Sequence, residues 1–232
     1  MKNIVIIGSG NVASHLSIAL KNEGHKILQI CSRNINNAKK LSKKLNCLFT
    51  SNISDLVQAD LYILSVNDDA IKSVLNTLPD LPVVHTSGNT SINVFKDQFS
   101  NYGVLYPLQI FNKDVKLNLK KTPFLVEGNN KFFEAKIMSL ASKISDTSKI
   151  LNSYERQKIH IAAVFASNFT NYMYTISESI LHKSNIDFKL LFPLINETVK
   201  NLKLKSPCEL QTGPAKRKDH QVIKSHLNIL DN

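Results

Sequence analysis

The stretch Lys2-Asn3-Ile4-Val5-Ile6-Ile7-Gly8-Ser9-Gly10-Asn11-Val12-Ala13 decides how this chain is read. Its apolar, β-branched start suits a strand buried on both faces. The glycines break that run, and Val12 to Asn22 takes up helical spacing with Val12, Leu16, Ala19 and Leu20 inward. Gly8-x-Gly10-x-x-Ala13 between a strand and a helix is the pattern that a dinucleotide pyrophosphate requires. Gly8 permits the tight turn, Gly10 lets the backbone approach a phosphate, and Ala13 allows close packing of helix on strand. The opening of the helix adds free N–H groups and the positive end of its dipole. The competing reading is a glycine turn in a nucleotide-free α/β protein.

Gly24 ends the helix, and Lys26 to Cys31 is a second strand. An NAD-specific site carries Asp or Glu roughly 20 residues past the motif, on the ribose 2′-hydroxyl. Here the chain reads Cys31-Ser32-Arg33-Asn34, without an acid. A hydroxyl and a guanidinium suit a 2′-phosphate, which a carboxylate would repel. The expected cofactor is therefore NADP(H), held by Gly8, Ser9, Gly10, Asn11 and Val12, with Ser32 and Arg33 on the 2′-phosphate. Against it stands Arg33 as a solvated turn residue.

Farther along, Asn36 to Leu45 reads as a lysine-studded helix and Cys47 to Phe49 as a short strand. Leu61 to Val66 is a strand running into a helix from Asp69 to Leu78. Val83 to Thr86, Tyr102 to Tyr106 and Pro123 to Glu127 are further strands. Strands alternating with helices imply crossovers and a mostly parallel sheet covered on both faces. After Leu151 the pattern turns helical: Tyr154 to Lys183, Phe188 to Leu204 despite Pro193, and about Asp219 to Leu230 beyond Thr212-Gly213-Pro214. The fold class is α/β, with a Rossmann dinucleotide-binding domain over 1–151 and an all-helical domain over 152–232. So short a helical domain buries surface poorly alone, so it is expected to dock on the sheet domain or on a second subunit.

Ligands of such sheets bind beyond the carboxyl ends of the strands. Val66 and Asn67 there should border the ribose and nicotinamide, and His85 and Thr86 are further cofactor-binding candidates. Ser87 and the rest of His85-Thr86-Ser87-Gly88-Asn89-Thr90-Ser91 form a loop dense in donors and acceptors, and Tyr106-Pro107-Leu108-Gln109 follows the next strand. Capping is the simpler role for Asp68 and Ser91. On the long helix, His160 and Asn168 fall on a common face at about 100° per residue. Ser87, His160 and Asn168 are the catalytic candidates; a buried histidine without chemistry is the competing reading of His160.

The 232 residues, 43% hydrophobic and 20% charged, fit a globular protein rather than a disordered one. Cys31, Cys47 and Cys208 form no paired set and no metal spacing, which suits a reducing compartment. No segment reaches the roughly 20 apolar residues of a membrane span. The first apolar run stops at Gly8, too short for a secretory core of roughly 7–15 residues. A cytoplasmic location is expected, with no membrane partner and no metal. The net charge of +11 invites a nucleic-acid reading. However, the only arginines are Arg33, Arg156 and Arg217; the rest of the basic residues are scattered lysines, which lack the guanidinium fork of base readers. No nucleic-acid partner is expected.

The chain resembles the Rossmann-like NADP oxidoreductases that end in a helical domain of unknown function. The carriers are the glycine motif, His85-Thr86-Ser87-Gly88 and Tyr106-Pro107-Leu108-Gln109. More specific are His160-Ile161-Ala162-Ala163-Val164-Phe165-Ala166-Ser167-Asn168-Phe169 and Thr212-Gly213-Pro214-Ala215-Lys216-Arg217-Lys218-Asp219-His220. The group is similar in plan to pyrroline-5-carboxylate reductase, deazaflavin-dependent NADP reductase and the 3-hydroxyisobutyrate dehydrogenases. It also resembles the helical C-terminal domain of 6-phosphogluconate dehydrogenase. The resemblance implies a homodimer through the C-terminal helices, which would close the active site. The hydroxyacid dehydrogenases of this clan place a lysine four residues before the helix asparagine; with Asn168 as that asparagine, the position holds Val164. Valine cannot protonate an alkoxide, so the proton falls to His160, or the substrate needs no strong acid. The expected activity is NADP(H)-dependent reduction of a small imine, carbonyl or flavin-like acceptor. A catalytically silent NADP(H) sensor is the alternative.

Overall fold

The computed structural model describes residues 1–230. It divides into two compact units, Met1–Ala163 and Val164–Asn232. The first unit carries through helix α5 (Ser153–Ala163), past the boundary expected near residue 151. The reason is local: Arg156 on α5 is buried and bonded to the sheet residue Glu127.

One eight-stranded sheet runs through this unit in the order β3-β2-β1-β4-β5-β6-β7-β8. Its strands are β1 (Asn3–Ile7), β2 (Lys26–Cys31), β3 (Leu48–Thr50), β4 (Leu61–Leu64), β5 (Val83–His85), β6 (Tyr102–Pro107), β7 (Phe124–Gly128) and β8 (Ser148–Ile150). Every pairing is parallel except β6 with β7. Helices α1 (Asn11–Asn22), α2 (Ile35–Leu45), α3 (Asp68–Leu75) and α4 (Lys131–Ile144) carry crossovers. Between β6 and β7 the chain returns through a loop and one 3₁₀ turn, Leu119–Lys121. The chain thereby re-enters the sheet in the opposite direction, and β6 and β7 pair antiparallel.

Side-chain alternation explains the layers. Ile4 and Ile6 face one core with Leu16 and Leu20 of α1, Leu41 of α2 and Ile137 of α4. Val5 and Ile7 face the other, with Ile71 and Leu75 of α3, Phe95 and Phe99. Phe95 and Phe99 belong to a 3₁₀ segment, Ile92–Gln98, and the residue after it, which cover the sheet in place of a full crossover helix.

The glycine turn closes on β4. Gly8 has φ +123°, and a β-carbon there would lie 2.1 Å from the Ser65 carbonyl oxygen. Its N–H donates to the Cys31 carbonyl at 2.7 Å, and the Ser65 N–H donates to Ile7 at 2.7 Å. The turn is thus pinned to both neighbouring strands.

In the second unit, a π-helical turn, Val164–Phe169, precedes α6 (Thr170–His182). The single helix expected from Tyr154 to Lys183 is therefore interrupted, and α-helical spacing does not hold through the turn that carries Asn168. Pro193 occupies the first turn of α7 (Phe192–Asn201), where its missing N–H has no intrahelical partner to lose. Two four-residue turns, α8 (Pro207–Leu210) and α9 (Pro214–Arg217), lead to α10 (His220–Leu230). No described residue of this unit is buried. Leu190, Leu194, Leu204 and Ile229 are each 66% exposed or more.

Gly8→Ala places a β-carbon against backbone and demands a left-handed φ of alanine. We expect a loss of at least about 2 kcal/mol in urea unfolding; an unchanged unfolding midpoint would contradict the close approach.

Candidate functional site

The cofactor end is a cleft of about 330 Å³ at the carboxyl ends of β1, β2 and β4. This is where strand order reverses between β1 and β4, the topological switch point of such sheets. Gly8, Ser9, Gly10, Ser32, Arg33, Val66 and Asn67 all line it. Gly10 caps α1 without a side-chain hydrogen bond, and the first turn of α1 holds no acid. Its N–H groups and dipole are left to an outside anion. A β-carbon at Gly10 would meet nothing within 4 Å, so the space above the turn is open. Ser9 Oγ and Ser32 Oγ lie 2.7 Å apart and join the glycine turn to the end of β2. Arg33 is exposed and has no ion pair among the described residues. An open backbone cradle beside a free guanidinium fits a dinucleotide bearing a 2′-phosphate.

Asn11 stands differently from expectation. Its side-chain amide donates to the Phe111 carbonyl at 2.9 Å, so it holds the loop after β6 and leaves only its backbone to the cradle. His15 on the next turn of α1 bonds the Asn112 carbonyl at 2.9 Å and supports the same loop.

A second polar cluster gathers at β5, β6 and α5. Tyr106 Oη and His160 Nδ1 are 3.1 Å apart, with their rings edge to face. Gly88 makes this meeting feasible: a β-carbon there would lie 2.6 Å from Tyr106 Cζ and 2.7 Å from His160 Nδ1. Burial first, and then the Asp68 carboxylate, push the Tyr106 phenol above its ordinary range, so it stays protonated. His160 is partly exposed, and Tyr106 is its sole hydrogen-bond partner among the described residues.

Three expected site residues turn out to have structural partners. Ser87 Oγ donates to Asp68 Oδ2 at 2.7 Å and accepts from the N–H groups of Asn89 and Thr90. It shapes the loop around Gly88. Thr86 Oγ1 donates to the Leu64 carbonyl at 3.1 Å and ties β5 to β4. His85 is 0% exposed and stacks on Phe95, while its Nδ1 accepts from the Ser87 N–H. Its side chain is thus packed in the core beside Phe95. Asn168 lies exposed on the π-helical turn of the second unit.

Tyr106 and Arg156 were not among the expected residues. Arg156 is fully buried; it pairs with Glu127 and donates to the Thr90 carbonyl at 2.6 Å and to Ser153 Oγ at 3.2 Å. Ser153 Oγ also donates to Glu127 and accepts from the Ile92 N–H. Gln157 reaches the Asn89 carbonyl at 2.6 Å. Ser153, Arg156, Gln157 and His160 follow the i, i+3, i+4, i+7 spacing of one helix face. That polar stripe, with an arginine in a lysine-rich chain, was the available signal.

Comparisons with known proteins bear on the family and the fold. Residues 3–86 match the family model described as NADP oxidoreductase coenzyme F420-dependent. Residues 122–232 match a domain of unknown function, DUF2520. The chain is 36% identical to the "putative NADP oxidoreductase" of Bacteroides fragilis, over 99% of this chain and 91% of that one, with a TM-score of 0.93. The chain belongs to this family of Rossmann-type NADP oxidoreductases. More distant likenesses show the fold alone. A 1-pyrroline-5-carboxylate reductase of Streptococcus pyogenes is 18% identical over 99% of this chain and 94% of that one, with a TM-score of 0.67. A reductive aminase of Aspergillus terreus, solved with NADPH, is 13% identical over 88% and 76%, with a TM-score of 0.70. No protein of curated function matches the chain.

Burial is the main reason that the His85 imidazole is pushed down to about 3, with the Arg156 charge adding to it. An unfolded imidazole charges near 6.5. Between those values the unfolded state binds the extra proton, so stability falls as pH falls. His85→Asn, whose amide oxygen can stand in for Nδ1, should flatten that part of a stability-against-pH curve. Parallel curves for the two proteins would contradict this origin.

Proposed function

We propose that the protein is an NADP(H)-dependent oxidoreductase that reduces a small imine, carbonyl or flavin-like acceptor. The observation that carries this reading is the uncapped, acid-free start of α1 behind the glycine turn, beside Ser32 and Arg33 in one cleft. Gly8, Ser9, Gly10, Asn11 and Val12 offer backbone to the diphosphate. Ser32 and Arg33 hold the 2′-phosphate, and Val66 and Asn67 border the ribose and nicotinamide. Bound there, NADPH supplies a hydride.

His160 supplies the proton. As an imidazolium its Nδ1–H donates to the Tyr106 oxygen, leaving the Nε2 proton for the acceptor's heteroatom. After transfer the neutral ring keeps its Nδ1–H on Tyr106, ready to be recharged at Nε2 from water. Ser87 orients the acceptor through the loop it shapes. His85 and Thr86 support the cleft from behind. Val164 stands where the resemblance places a lysine, which leaves the proton to His160. The same valine favours the second reading, a sensor that binds NADP(H) without turnover.

Leu190, Leu194, Leu204 and Ile229 of the second unit are left exposed. They support a homodimer through the C-terminal helices. Three unpaired cysteines support a reducing, cytoplasmic setting. Among the described residues, no helix is long and apolar enough to cross a membrane.

Titration with NADPH and NADH is expected to show selective NADPH binding, lost in Arg33→Gln. His160→Ala and Tyr106→Phe should bind NADPH as before while NADPH oxidation by an accepted imine or carbonyl falls about 10²-fold or more. Equal affinity for both nucleotides, or full turnover in His160→Ala, would overturn the reading. Equilibrium sedimentation should give twice the chain mass; a monomer at micromolar concentration would remove the dimer.

A further inference from the structure

The first turn of α3 holds two acids, Asp68 and Asp69, directly after Asn67, which lines the nucleotide cleft. Asp68 Oδ2 accepts the Ser87 hydroxyl at 2.7 Å. The next residue, Gly88, is the one against which Tyr106 and His160 close. The Asp68 charge also reaches the Tyr106 phenol and, after burial, helps to hold it protonated. One carboxylate thus adjoins both the nucleotide cleft and the Tyr106–His160 pair.

That charge is left uncompensated. Among the described residues Asp68 has no ion pair, and its Oδ1 accepts no hydrogen bond. Lys72, one turn later in α3, does not pair with it, and the buried Arg156 is spent on Glu127. A first-turn acid complements the dipole of its helix, a role that Asp69 fills as well. The contact with Ser87, and through it with the loop around Gly88, belongs to Asp68 alone.

A fixed negative charge sorts hydride acceptors. Hydride added to a neutral carbonyl gathers negative charge on oxygen, which a nearby carboxylate opposes. A protonated imine brings positive charge, which the same carboxylate favours.

We propose that Asp68 is a specificity-determining residue that selects a cationic acceptor, an iminium, over a neutral carbonyl. This rests on the reading of the protein as an NADP(H)-dependent oxidoreductase. The imine nitrogen takes the Nε2 proton of His160 and becomes cationic. The imine carbon then takes the hydride that NADPH supplies, the C=N π pair returns to nitrogen as a lone pair, and a neutral amine and NADP+ remain. Asp68 raises the protonated fraction of the bound imine and exchanges no proton itself. An acceptor that carries its own carboxylate next to the imine nitrogen is disfavoured for the same reason.

The test compares kcat/KM for 2-methyl-1-pyrroline, 1-pyrroline-5-carboxylate and cyclopentanone, each with NADPH, in the native protein, Asp68→Asn, Asp68→Glu and Asp69→Asn. Asparagine keeps an oxygen for the Ser87 hydroxyl, so the unfolding midpoint of Asp68→Asn should hold. The native protein should prefer the imine without a carboxylate. Asp68→Asn should cut its advantage over the ketone about tenfold and narrow its lead over the carboxylated imine. Asp68→Glu should restore part of both ratios, and Asp69→Asn should leave them unchanged. Equal losses on all three acceptors in Asp68→Asn, no loss on any, or a native protein that prefers a ketone or a flavin-like acceptor would overturn the inference and leave the oxidoreductase reading intact. A native protein that oxidises NADPH with no acceptor would overturn the inference together with the reading beneath it.

Discussion

The contact on which the cofactor end depends is backbone on backbone: Gly8 against the Ser65 carbonyl, with no room for a side chain between them. Because the turn is held by hydrogen bonds to both β2 and β4, the start of α1 is fixed over the point where strand order reverses. Everything proposed for the nucleotide follows from that. The uncapped N–H groups face a cleft, the end of β2 supplies Ser32 and Arg33 at its rim, and the end of β4 supplies Val66 and Asn67.

The Tyr106–His160 pair depends on a different kind of interaction, a buried ion pair. Taking Arg156 and Glu127 out of water is costly, and the pair endures because nearly every polar atom around it is bonded. Its effect is geometric. It binds α5 to β7 and to the loop after β5, and so brings His160 against Gly88 and Tyr106. Removing either charge alone would leave the other buried, a loss of about 3–5 kcal/mol. The positive charge there also helps to keep His85 neutral. One residue thus couples the packing of the sheet to the placement of His160.

The cofactor half was legible in the sequence because its chemistry is local. Glycine spacing, strand, helix and the missing acid after Cys31 all lie within the first 34 residues. The acceptor half is built from contacts across the chain, and Tyr106 and His160 are 54 positions apart. His160 could be singled out, but its partner could not. His85 misled for a physical reason: a polar residue at a strand end can face the core as readily as the cleft. His85 points toward Phe95, and Ser87 serves its own turn. The π-helical turn at Val164–Phe169 carries no composition that marks it, so helical spacing ran through it unbroken. Arg156 was visible as a rare arginine on a polar helical stripe, and only burial revealed its part.

The account stands or falls on hydride transfer at this site. The most direct measurement follows deuterium from NADPH labelled at the transferring position of C4 into the product of a supplied imine, carbonyl or flavin-like acceptor. The account predicts deuterium on the reduced carbon or ring of at least one acceptor class, with the label unmoved in His160→Ala. Tight NADPH binding with the label retained across all three classes would contradict it and make the protein a sensor of the cofactor's redox state.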